Sequence, residues 1–141
     1  MERISSSPEY GRQFTARTQF LVPQRPLART VDIGMFDTMR FASAMLKVQR
    51  GETIRFQVRN KGQIQHEIVI GSSEEIAHLR HAVMDNPAMV HAAPNMAHVA
   101  PGKREQLRWT FDSIGKLEFA CLLPGHYQAG MRGTINALGI S

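Results

Sequence analysis

The sequence predicts an all-β fold, a Greek-key β-sandwich of about seven short strands with one short helix and one long loop rich in Met and His. Three observations predict it. From residue 30 onward, apolar and polar residues alternate in short runs bounded by turn residues, the period of half-buried strands. Only residues 72–84 switch to helical spacing. At 141 residues the chain can bury a core of its own, and its single cysteine allows no internal disulfide.

Residues 1–29 are rich in Ser, Arg, Gln and Pro, and Pro23 and Pro26 interrupt any ladder, so they are expected to form a flexible N-terminal arm before a domain over 30–141. In the first strand Val31, Ile33 and Met35 alternate with Asp32 and Gly34. Met45-Leu46-Lys47-Val48 repeats the pattern before an Arg50-Gly51-Glu52 turn. Ile54, Phe56 and Val58 then point inward while Arg55, Gln57 and Arg59 make a cationic outer face. Asn60-Lys61-Gly62 turns the chain toward His66 and the apolar run Ile68-Val69-Ile70.

Ser72 with Glu75 three residues later is a capping box, and Ile76, Leu79 and Val83 share one helical face, so a short helix is expected to end before Pro87. Its His78 and His81 read as solvated polar-face residues. Residues 84–102, with three prolines, three methionines and two histidines, have neither strand nor helix period and read as a functional loop. Strands resume with Leu107, Trp109 and Phe111 on one face, then Leu117 to Cys121, and close with Gly133 to Leu138.

The formal charge is +5 and the sequence pI about 10, but the basic residues are scattered from Arg12 to Lys61 rather than clustered with aromatics. A surface suited to acidic partners is expected, not nucleic-acid binding. No run of about 18 apolar residues exists, so no transmembrane segment is predicted. Met1 to Ser7 contain no apolar core of a signal peptide.

The stretch that concentrates chemistry is Cys-Leu-Leu-Pro-Gly-His-Tyr-Gln-Ala-Gly-Met, from Cys121 through His126 to Met131. A lone cysteine is ordinarily a small core hydrophobe. A thiolate, an imidazole and a thioether on one short loop instead form a soft donor set, and two histidines, a cysteine and a distant methionine make blue-copper electron-transfer sites. The second histidine must come from elsewhere, and His66, heading an apolar strand, is the best placed. Several other chemistries are excluded. There is no second cysteine for thiol redox or a binuclear copper loop, and no Gly-rich phosphate loop, His-Glu-x-x-His or Gly-x-Ser-x-Gly motif, so no enzyme is predicted. No Asn or Asp is marked out to orient a Cys-His hydrolase pair, and a methionine ligand argues against zinc.

His66 ahead of its strand, followed by Cys-x4-His-x4-Met near the C-terminus, resembles the cupredoxin (type 1 copper) family over roughly residues 30–138, with a spacing similar to the auracyanin and rusticyanin branch. The resemblance implies one copper per chain, with His66 and His126 as equatorial nitrogens, Cys121 as equatorial thiolate and Met131 as weak axial ligand. It implies an extracytoplasmic, periplasmic setting and a monomer. It also implies electron exchange through the His126 edge, set among Leu122, Leu123, Pro124, Gly125, Ala129 and Gly130. In plastocyanin-like and azurin-like members an Asn follows the first ligand and helps tie the two ligand segments together. Here it is Glu67, which either lowers the reduction potential by favouring Cu(II) or points outward.

Two functions follow. One is a one-electron carrier between larger redox partners. The other is copper handling in metal tolerance, because the His-Glu strand, the Met/His loop and the ligand motif together resemble cupredoxins linked to bacterial copper tolerance. On that second reading Met84, Met89, His91, Met96 and His98 offer a further Cu(I) site, unless the methionines simply fill one end of the barrel. A copper-free interaction module is the blandest alternative.

Overall fold

The computed structural model of the chain describes residues 29–87 and 92–139. The N-terminal arm expected over 1–29 lies, apart from Arg29, outside the described residues, as do Met89 and His91. Among the described residues nine strands and one helix follow in order: β1 Arg29–Phe36, β2 Arg40–Ala42, β3 Met45–Gln49, β4 Thr53–Asn60, β5 His66–Gly71, α1 Ser73–Asp85, β6 Met96–Val99, β7 Arg104–Thr110, β8 Gly115–Ala120 and β9 Arg132–Leu138. They form a two-sheet sandwich, one sheet in the order β2-β1-β4-β7 and the other in the order β3-β9-β8-β5-β6.

The predicted alternation sets the inward faces. Ile33 and Met35 of β1, Ile54, Phe56 and Val58 of β4, and Ile135 and Ala137 of β9 all enter one core. There Phe41 meets Phe119 edge to face at 5.0 Å and Phe56 meets Phe111 at 6.4 Å, the geometry that aromatic quadrupoles favour. Gly133 faces Phe119 so closely that a Cβ would run into the ring, which is why this position of β9 carries no side chain.

Helix α1 begins with the expected capping box: Ser72 Oγ accepts from the Glu75 N–H, and the Glu75 carboxylate accepts from the Ser72 N–H. Its Ile76 and Val83 pack with Val69, Ala120, Leu122 and Tyr127 on the outer side of the second sheet, forming a second apolar cluster. Strand β5 is therefore covered on both faces and buried along its whole length, including its polar first residues His66 and Glu67. His78 and His81 are exposed, as expected of a polar face.

The count of about seven strands and the single loop over 84–102 are corrected. Met84 belongs to α1, and Met96–Val99 form β6, pairing antiparallel with β5 through His66↔Val99, Glu67↔His98 and Val69↔Met96. Both additional strands, β2 and β6, are short edge strands. Such strands take their conformation from a neighbour's backbone ladder rather than from a hydrophobic period of their own, and three or four residues carry too few alternations to register. Among the described residues no helix is long and apolar enough to cross a membrane.

Candidate metal centre

One donor comes from the first residue of β5, one from the end of β8, and two from the loop that follows. Buried Cys121 comes directly after β8, and its N–H donates to the Met131 carbonyl at 3.0 Å. The loop between them is wound tightly: His126 N–H donates to Leu123 O, Ala129 N–H to Gly125 O, and Met131 N–H to His126 O. Gly125 and Gly130 take positive φ (84° and 110°), the left-handed turns that return Met131 under Cys121. Tyr127 pins the loop to α1 and β9. Its hydroxyl donates to Glu118 at 3.0 Å, and the Arg80 and Arg132 guanidiniums lie 4.1 and 5.0 Å from its ring.

The donor atoms of His66, Cys121 and His126 all lie within 4.8 Å of one another. Cys121 Sγ is 3.3 Å from His126 Nδ1, and the two imidazole rings stand 5.2 Å apart at 58°. Met131, fully buried, shares the core cluster with Cys121. The structure thus brings His66, Cys121, His126 and Met131 to one end of the sandwich.

The chemistry of these atoms fits a soft metal. His66 Nε2 is 2.9 Å from Asp37 Oδ1; a carboxylate only accepts, so Nε2 holds the ring proton and Nδ1 presents its lone pair. That Nδ1 is buried without a hydrogen-bond partner, an arrangement that costs free energy unless something else binds it. Burial pushes the Cys121 thiol up to about 11, so it keeps its proton at neutral pH, and ligation requires that proton to leave. Burial and the neighbouring His66 hold His126 below the usual imidazole range, which leaves it neutral and able to donate its lone pair. Three clustered donors of the N, N, S type with a buried thioether beside them could hold copper in either oxidation state.

Asp37 went unrecognised in the sequence. It lies in the β1–β2 turn, 29 residues before His66, with no local pattern to mark it. The Gln63 N–H, first, and His66 hold its carboxyl below the usual carboxylate range. Gly62 permits this approach, since a Cβ there would run into the Asp37 carboxylate. Buried Asn60 shapes the same loop, donating to Ile64 O and Val99 O and accepting from the Gly62 N–H. From the start of β2, Arg40 donates to the Ala129 carbonyl at 2.9 Å, so one hairpin touches both ligand-bearing segments.

Glu67 is buried. Its N–H lies 3.4 Å from Cys121 Sγ, its Oε2 accepts from the Leu122 N–H at 3.2 Å, and its Oε1 is 3.2 Å from His98 Nδ1. It links the β5 segment to the residue after Cys121 through a carboxylate, the linking place for which the resemblance implied an Asn. Of the residues suggested for a second site, Met89 and His91 lie outside the described residues. Met84 is exposed on α1, Met96 packs on the helix-side cluster, and His98 faces Glu67.

Comparison with known proteins decides the family. Residues 28–137 match the plastocyanin/azurin family of copper-binding proteins. The chain belongs to this family. Cupredoxins of this kind are generally electron carriers. A copper-resistant cuproprotein CopI from Rubrivivax gelatinosus is 44% identical over 107 residues, covering 76% of this chain; the match spans 65% of that protein's length. The CopI of Pseudomonas aeruginosa is 31% identical over an alignment of 159 residues, covering 92% of this chain and 85% of its own. Among solved structures, a reduced auracyanin from Roseiflexus castenholzii superposes with a TM-score of 0.67 at 23% identity, covering 79% of this chain and 98% of that one, a likeness of fold. This cupredoxin binds copper at a type 1 site.

Proposed function

We propose that the protein is a one-electron carrier whose single copper is held by His66, Cys121 and His126, with Met131 as the weak axial ligand. The observation that carries this reading is the buried, unpartnered Nδ1 of His66 facing the Cys121 and His126 donors, all three within 4.8 Å. When bound, copper supplies a Cu(II)/Cu(I) couple. The chain supplies a frame that changes little between the two states. Asp37 fixes the His66 ring, Glu67 ties β5 to the ligand loop, and the loop's own hydrogen bonds hold His126 and Met131. His126 is only half-buried, between exposed Pro124, Gly125 and Ala129, so its edge offers a path for the electron to a partner protein docked briefly there. On this reading the protein is a monomeric extracytoplasmic carrier rather than an enzyme.

The copper-resistant relatives favour a second reading, in which the domain buffers or passes on copper as part of metal tolerance. Titrating copper into the apoprotein tests both. With Cu(II), an intense thiolate-to-copper band should grow and saturate at one equivalent; a weak band would overturn the ligand assignment. With Cu(I), uptake beyond one equivalent would support a further site among Met84, Met89, His91, Met96 and His98, and saturation at one equivalent removes it.

Met131→Leu should keep the copper and raise the reduction potential, because the axial contact is weak and the equatorial three carry the binding. Copper loss equal to that of His126→Ala would overturn the axial role.

A further inference from the structure

The outer face of the first sheet carries a charge pattern that copper binding does not use. Pairing in register places Arg59 of β4 opposite Arg104 of β7, and Arg55 opposite Arg108, with the neutral pair Gln57 and Gln106 between them. Like charges directly opposite on one sheet face are destabilising. Among the described residues the ion pairs join Arg29 to Glu52, His66 to Asp37 and His98 to Glu67; none neutralises these four arginines. Arg55 reaches only the Thr30 hydroxyl, at 3.2 Å. Packing gives nothing back for this repulsion, because three of the four are exposed and Arg55 is half-exposed.

The face is also hollowed. The row Ala42, Gly34, Arg59, Arg104 runs across four strands, and its two small members leave a concavity of about 350 Å³ lined by Asp32, Gly34, Ala42, Ser43, Arg59, Lys61 and Arg104 among others. Lys61, at one rim, belongs to the 61–65 segment that also gives Gln63 to Asp37 and leads into His66. The hollow therefore includes the end of β4 from which the chain runs on to His66.

We infer that this hollow and the paired arginines form a docking face for an acidic segment of a partner protein, whose carboxylates sit between Arg59, Lys61 and Arg104 and extend toward Arg55 and Arg108. Charge complementarity selects the occupant. Residues 1–28 contain four arginines against two glutamates and cannot neutralise the face, and a second copy brings the same net +5. A nucleic acid presents a continuous phosphate ribbon, whereas here the row Asp32, Gln57, Gln106 divides the cations into two groups and sets a carboxylate between them. A membrane surface calls for apolar anchors, and none of the exposed large apolar residues, Met45, Ile64, Met84, Ile114 and Leu138, lies on these four strands. The inference rests on the reading of the protein as one that meets protein partners at its copper end.

The test uses the full copper-loaded chain, isotopically labelled, titrated with a short polyglutamate peptide and followed by amide shifts and by the visible band. Shifts should cluster at Gly34, Ala42, Ser43, Arg59, Lys61 and Arg104, and binding should weaken as salt screens the pair. Arg59→Gln with Arg104→Gln should weaken binding about tenfold while the visible band is unchanged, and Arg59→Lys with Arg104→Lys should retain most of it. Shifts scattered over every cationic site, or unchanged affinity in the glutamine variant, would overturn the docking face. So would tighter binding at this face of a duplex DNA oligomer or of phosphatidylglycerol vesicles at equal salt. Absence of the visible band in the unmodified protein would instead defeat the copper reading, whatever the peptide does.

Discussion

Replacing Cys121 by serine abolishes the intense visible band of the Cu(II)-loaded protein while leaving the sandwich folded. The band arises from charge transfer out of a thiolate, and the chain has no other cysteine to supply one. The fold survives because the change is small in volume and Cys121 is one of 17 residues in the main core cluster. A buried hydroxyl costs about 1–3 kcal/mol when unpartnered, but the Glu67 N–H that points at Sγ can donate to Oγ instead. Far-ultraviolet circular dichroism and the visible spectrum, recorded on the same sample, separate the two effects. His78→Ala and His81→Ala, both at exposed helical positions, should keep the colour in full. An intense band surviving in the serine variant would mean that the ligand set is wrong.

Much of this centre is legible in the sequence because its parts are local. The alternation of Ile54, Phe56 and Val58 sets which face of β4 is buried, and the spacing from Cys121 to Met131 is one self-contained turn whose glycines are visible as glycines. What the sequence hides is non-local or depends on orientation. Asp37 reaches His66 only because β1 and β4 pair in parallel, so that the β1 end and the loop after β4 meet at the same edge. Glu67 reads equally well as an outward carboxylate until α1 packs over that face of the sheet and β6 brings His98 beside it. β6 itself carries Met96 and His98 on one face and Ala97 and Val99 on the other, but four residues between two prolines are indistinguishable from a loop until β5 provides the ladder. Of the described members of the Met/His stretch, Met84 goes to α1 while Met96 and His98 go to the edge strand β6, a division that the run of sequence does not announce.

Asp37→Asn should weaken copper binding and raise the reduction potential without removing a ligand. In the unmodified chain one carboxylate accepts from two donors, His66 Nε2–H through Oδ1 and the Gln63 N–H through Oδ2. An asparagine has only one acceptor oxygen. Its amide NH2 must face either Gln63 N–H, which expels the loop, or His66 Nε2, which favours the proton on Nδ1 and takes away the lone pair a metal needs. Either outcome loosens the ring, and both remove a negative charge that makes the imidazole a stronger donor and favours Cu(II) over Cu(I). Substitutions at such supporting partners cost about 10- to 100-fold in metal affinity, the range expected here from competition with a Cu(II) chelator. Gly62→Ala is the companion variant. Its Cβ would displace the Asp37 carboxylate while leaving the charge in the chain, so it should shift the potential in the same direction and by less. The tautomer offers a readout that loss of fold does not imitate. Nitrogen NMR of the apoprotein should show His66 protonated at Nε2 in the unmodified chain and a mixture in Asp37→Asn. Unchanged potential, affinity and tautomer in that variant would reduce Asp37 to a surface residue that merely caps the loop before β5.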